Sequence, residues 1–140
     1  KEKTDMAFIN WTDELSVGVE LFDNDHKKLV SLANSLHESI TVGAQQAALA
    51  PVLNELVKYT VFHFGHEEGI MIQYAYPDYE KHKKEHDALV AKVQDYYEQV
   101  MAGKTSISLS LIGFLKDWLV NHIMGSDRDY KEFFAKKGIR

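Results

Sequence analysis

The chain of 140 residues has no cysteine. That excludes disulfides, a thiolate nucleophile, iron–sulfur clusters and cysteine-ligated haem. It also lacks long apolar runs: the longest, such as Leu109–Leu115, fall far short of the roughly 20 residues that span a bilayer. Lys1–Asn10 is charged and has no apolar centre, so no secretory signal is visible and a cytoplasmic location is expected. Basic excess is missing too. A formal charge of -5 argues against nucleic acid as a partner. No internal repeat or low-complexity tract is present. What remains, 45% hydrophobic and 26% charged residues, is the composition of one globular domain. Met6 would serve as a start, leaving Lys1–Asp5 as part of something longer.

Apolar spacing predicts four helices, over about 24–42, 47–74, 78–102 and 106–126, after an irregular arm at 1–22. Trp11 is the expected anchor of the arm, with some strand character at Ser16–Leu21. Asp23 or Asn24 caps the first helix and Gly43 closes it. Pro51 falls in the first turn of the second, where a missing N–H costs little. Pro77 marks the next turn. Thr105 or Ser106 caps the fourth helix, and a short helix over Arg128–Lys136 ends the chain. Short loops predict an all-α, up-down-up-down antiparallel four-helix bundle.

There are seven histidines. His63 and Glu67, then His82 and His86, are i,i+4 pairs, each on one helix face. They occupy positions where the stripe calls for apolar residues, and an unpaired buried carboxylate is costly. Bundle topology adds a test. His26 starts helix one, His63 and Glu67 end helix two, His82 and His86 start helix three, and His122 and Asp127 end helix four. All seven converge on one end of the core, which scattered core histidines have no reason to do. Asp127 fits least well. Five residues after His122 it lies about 140° off that face, so the helix must loosen near Gly125. His37 is about 16 Å along the axis from His26 and reads as a partly buried, hydrogen-bonded side chain. His66 is turned some 60° from His63 and reads as a flanking group. Glu68 and Glu85 are expected to face solvent.

Imidazole and carboxylate ligands suit iron, zinc, manganese or copper. Five imidazoles and two carboxylates exceed the needs of one ion. They suit two ions bridged by both carboxylates and one oxo or hydroxo group. Three histidines then complete one ion, and two leave the other with one open position for a small molecule.

The spacing H-x36-H-x3-E-x14-H-x3-H-x35-H-x4-D resembles the hemerythrin family. So do W-x-D-E-L-S-V-G-V at 11–19, D-x-x-H-K-K-L at 23–29, H-F-x-x-E-E at 63–68, Y-P at 76–77, H-K-x-E-H at 82–86 and W-L-x-x-H-I-x-x-x-D-x-x-Y at 118–130. The likeness covers nearly the whole chain and is greatest to single-domain bacteriohemerythrins. It implies two non-haem irons, one held by His82, His86 and His122, the other by His26 and His63, with Glu67 and Asp127 bridging. Dioxygen would bind beside His26 and His63. Phe64, Trp118, Leu119 and Ile123 match the family's oxygen pocket, with ordinary core packing as the alternative. Asp25 or Asp23 is placed to orient a ligand imidazole, though capping suits Asp23 better, and Tyr130 to hydrogen-bond near the site.

The implied function is reversible oxygen binding, for storage, transport or delivery to an oxygen-using enzyme, without catalysis. A histidine-rich ligand set favours binding over the oxygen activation of carboxylate-rich di-iron enzymes. The alternatives are an oxygen-sensing domain fused to a signalling module, a di-iron peroxidase or oxidase, and a zinc-only structural bundle.

Overall fold

A computed structural model describes residues 8–41, 46–103 and 108–140 of the chain. Four long helices carry the fold: α1 (Glu20–Thr41), α2 (Gln46–Gln73), α3 (Tyr79–Met101) and α4 (Ser108–His122). α4 runs on as a π-helical turn, Ile123–Asp127, and α5 (Lys131–Lys136) follows. α1 packs on α2, α2 on α3, and both α1 and α3 on α4, closing the bundle. No strand occurs among the described residues. None of their helices is long and apolar enough to cross a membrane.

The inward stripes are those expected from the 3.6-residue period. Leu29, Val30, Ala33 and Leu36 of α1, Leu49, Leu53 and Leu56 of α2, Leu89, Val93 and Val100 of α3, and Leu111, Ile112 and Leu115 of α4 are buried together.

The arm departs from expectation. α1 begins at Glu20, several residues before the proposed Asp23 or Asn24 cap. Asp23 instead reaches back from inside the first turn. Its carboxylate accepts hydrogen bonds from the Val17 N–H (2.8 Å) and the Ser16 hydroxyl (2.6 Å), folding the arm against the helix it precedes. An acid in the first turn is also favoured by the helix dipole. The Ser16–Leu21 segment therefore forms no strand, and a short 3-10 turn, Asp13–Leu15, lies before it. Trp11 is only partly buried, under the Lys27 ammonium. Ile9, Leu15, Val17 and Val19 are the buried anchors, and Asn34 clamps the Ile9 N–H and carbonyl, both at 2.8 Å. The expectations at Lys1–Asp5, Gly43, Thr105 and Ser106 lie outside the described residues.

The α2–α3 turn places two halves of the polar layer side by side. The Tyr76 N–H bonds the Met71 carbonyl (2.9 Å) and the Ala75 N–H that of Ile72 (3.2 Å), a Schellman closure. Ala75 takes the left-handed position, φ 55°, where glycine is usual. Pro77 follows and prevents α2 from continuing.

Candidate metal centre

All seven side chains proposed from spacing meet at one end of the bundle: His26, His63, Glu67, His82, His86, His122 and Asp127 are buried there. The two carboxylates divide the imidazoles between them. Glu67 Oε1 faces Nε2 of His82 (3.3 Å) and His86 (3.2 Å), whereas Oε2 faces Nε2 of His26 (3.3 Å) and His63 (3.1 Å). Asp127 Oδ1 faces His82 (2.8 Å) and His122 (3.0 Å), and Oδ2 faces His26 (3.1 Å). Two pockets of donors result. One holds His82, His86 and His122, the other His26 and His63, and each takes one oxygen from each acid.

Asp127 reaches the layer because the helix widens. The π-helical turn Ile123–Asp127 starts directly after His122, so a residue five positions on comes round to the same side. This is the loosening that the spacing required near Gly125.

Several of the inward atoms lack hydrogen bonds. Nε2 of His26, His63, His86 and His122 and both Asp127 oxygens are buried without a hydrogen-bond partner. These four imidazoles lie within ion-pair range of the acids but are poorly aligned for hydrogen bonds, whereas His82 Nε2 is hydrogen-bonded to Glu67 Oε1 at 3.3 Å. An orphaned buried polar atom costs about 1–3 kcal/mol, and these six are aimed at the same two points. Two donors bound at about 2.1 Å to one ion and at right angles to each other would sit about 3 Å apart, close to the 2.8–3.3 Å separations here. The donor set fits two metal ions.

Electrostatics calls for positive charge at the same place. Burial lowers the His26 pKa, but close polar contact with Asp127 and Glu67 and their charge outweigh it and raise it to about 10. His82, with the same opposing causes, rises to about 9. Burial raises Glu67, yet the surrounding imidazoles, His63 foremost, hold it well below the usual carboxylate range. Protons on imidazoles thus take the electrostatic role that a metal would fill, and a metal must displace them.

Three of the five outer ring nitrogens, those of His63, His86 and His122, are held from behind. Asp25, on α1, accepts from His63 Nδ1 (2.8 Å), from the flanking His66 Nδ1 (2.7 Å) and from the Tyr59 hydroxyl (3.0 Å). Asp23 plays no such part. Tyr130, fully buried, donates its hydroxyl to Glu67 Oε2 at 2.6 Å. Glu68 and Glu85 do not simply face solvent as expected. Glu68 Oε2 accepts from His86 Nδ1 (2.8 Å), and Glu85 Oε1 accepts from His122 Nδ1 (2.9 Å) and the Ser126 hydroxyl (2.6 Å). One signal was available for Glu85. It lies three residues after His82, about 60° from the inward face, the same offset that separates His66 from His63. His37 stands apart from the layer and stacks on Phe8, ring centres 4.2 Å apart.

The aromatic wall is close-packed. Phe64 stacks on His86 (3.6 Å) and Trp118 on His122 (4.1 Å). Phe64, Trp118, Leu119 and Ile123 line a cavity of about 20 Å³ that also touches His26, His63 and His122 but not His82 or His86. That is room for one very small molecule. Its walls run on past Leu29 and Leu115 and are almost wholly apolar.

Comparison with known proteins agrees with this geometry. The family model for the hemerythrin HHE cation-binding domain matches residues 17–134. Bacteriohemerythrin of Pseudomonas aeruginosa is 38% identical over 125 residues, covering 89% of this chain and 80% of that one. Bacteriohemerythrin of Methylococcus capsulatus is 35% identical, covering 89% and 95%. A crystal structure of wild-type hemerythrin superposes with a TM-score of 0.85 at 34% identity, covering 90% of this chain and 97% of that one.

Proposed function

The chain belongs to the hemerythrin family, and we propose that it binds dioxygen reversibly at a non-haem di-iron centre, for oxygen storage, transport or delivery. His82, His86 and His122 would hold one iron and His26 and His63 the other, with Glu67 and Asp127 shared. The observation that carries this reading is the division of the carboxylate oxygens, one from each acid to each group of imidazoles. The three-histidine group offers five protein donors and the two-histidine group four, so an ion on the two-histidine side would have more room for a small ligand. The cavity touches both histidines of that side.

Iron suits the donors better than zinc does, because structural zinc is satisfied by four ligands and the three-histidine group with its two acids offers five. Ferrous iron held there would supply the electrons for reversible binding of dioxygen. The residues supply the rest. Phe64, Trp118, Leu119 and Ile123 keep bulk water out. Tyr130 fixes one oxygen of Glu67, and Asp25 fixes the His63 ring. A cavity of about 20 Å³ suits a diatomic ligand better than an organic substrate, which favours binding without turnover. A cytoplasmic setting, with dioxygen as the ligand and no membrane or nucleic acid partner, is part of this proposal.

The test is a cycle: reduce the iron-loaded protein without air, admit oxygen, then remove it. Absorption from ligand-to-iron charge transfer should appear and disappear repeatedly at two irons per chain. Rapid irreversible oxidation with turnover of peroxide would replace this reading with an enzyme.

A further inference from the structure

The histidine groups differ in what stands behind them. In the three-histidine group, two of the three rings have a carboxylate that no other imidazole shares, Glu68 for His86 and Glu85 for His122, while His82 touches acids only through its inward Nε2. In the two-histidine group, the one outer carboxylate, Asp25, is divided among His63, His66 and Tyr59. Nδ1 of His26 has no partner at all.

We propose that Glu85 and Glu68 are positioning residues for the three-histidine half of the metal site, a proposal that rests on the di-metal reading above. A neutral imidazole carries its proton on one nitrogen. A carboxylate at Nδ1 keeps the proton there, leaves the Nε2 lone pair for the ion and stops the ring from turning. Glu85 does more than Glu68. It lies between His82 and His86 on α3 and crosses to α4, where it takes His122 Nδ1–H and the Ser126 O–H together. Ser126 is in the π-helical turn and precedes Asp127. One side chain therefore ties the α3 ligand pair to His122 and to the turn that delivers Asp127. Its side chain is 32% exposed and that of Glu68 19%, so both act from the rim of the core and neither fills it. The consequence is a graded site, in which the three-histidine half is preorganised and takes its ion more tightly.

The experiment is an anaerobic titration of the chelated full chain with Co2+, followed by its d–d absorption, in wild type, Glu85→Ala, Glu85→Gln, Glu68→Ala and Ser126→Ala. Glutamine keeps an oxygen that can accept both hydrogen bonds, so it separates positioning from filling. Wild type should take two ions, the tighter one first. Glu85→Ala and Glu68→Ala should each weaken the tighter ion 10- to 100-fold, the usual cost of losing such a partner, and leave the other within about threefold. Glu85→Gln should recover most of the affinity, and Ser126→Ala should give a smaller loss confined to the same ion. The proposal is overturned if Glu85→Ala binds both ions as wild type does, if both ions weaken equally, or if Glu85→Gln is as weak as Glu85→Ala. A wild-type chain that fails to take two ions overturns instead the di-metal reading on which it rests.

Discussion

The two ends of this bundle are built from the same four helices and are held together differently. At the end away from the metal centre, Leu36, Leu53, Val93, Val100 and Leu111 are buried among other apolar groups. Burying each such side chain contributes about 1.5–3 kcal/mol and leaves nothing to be satisfied. At the other end, two carboxylates and five imidazoles fill the equivalent layer. Their inward atoms are largely without hydrogen bonds, so the layer is stable only when positive charge, as metal ions or as protons, enters it. The apolar end therefore specifies the fold, and the polar end depends on that fold to be assembled at all.

Metal loading should break the symmetry most. Ions that bind only the folded chain stabilise it by roughly 4 kcal/mol at a free concentration a thousand times the dissociation constant. Thermal melting with and without iron should show a rise of order 10 °C. Amide exchange should slow around His26, His63 and the Ile123–Asp127 turn, and much less around Leu53. Leu53→Ala tests the other end. A buried leucine truncated to alanine costs about 2–5 kcal/mol, and the loss should be the same in loaded and chelated protein, because the side chain is far from the ligands. A loss that differs between the two states would show that the ends are coupled.

Acidity distinguishes the ends next. His26 and His82 are raised from 6.5 to about 10 and about 9. The stability they contribute is complete below pH 6.5 and is lost as pH rises toward those values. Glu67 and Asp127 are lowered: burial opposes this for both, and nearby imidazoles overcome it. Their contribution is present above the ordinary carboxylate range, about pH 4, and is lost in acid. Chelated protein should therefore be most stable near pH 5 to 6.5 and weaken on both sides, by about 3 kcal/mol between pH 6.5 and 9 when the two imidazoles, which share the same acids, count as one group at about 1.4 kcal/mol per unit. Denaturant midpoints across pH provide the measurement. A flat profile above pH 7 would mean that the imidazoles are not protonated by these acids.

The apolar end was legible in the sequence because its period is that of a helix and nothing interrupts it. The candidate ligands stood out for a related reason: His63, Glu67, His82 and His86 fall where apolar residues belong. Asp127 was visible only as a demand for a wider turn, which the Ile123–Asp127 π-helical turn meets. The arm was misread because the acid taken as a cap, Asp23, bonds backward to Val17 from within the helix. A first-turn acid looks the same in sequence whether it caps or clasps. Glu68 and Glu85 were taken for solvent-facing groups since their positions lie off the inward face. Only the neighbouring helix reveals that His86 and His122 are within reach. No periodicity reports which side chain of one helix meets the back of a ring on another.

The smallest effect is expected at the border between the polar layer and the exposed face of α2. His66 shares Asp25 with His63 at nearly equal distance, 2.7 and 2.8 Å, yet its side chain is 27% exposed and its ring packs edge-on against Phe62. Removing it leaves Asp25 with two donors, His63 and Tyr59. A surface change of this kind is worth within about 0.5 kcal/mol. His66→Ala should therefore keep two irons per chain and melt near wild type, whereas His82→Ala should lose an iron. Metal analysis of the two variants side by side decides the matter. Loss of an iron from His66→Ala would move the border outward: Asp25 would then need His66 in order to hold His63, and the two-histidine half would begin at the protein surface.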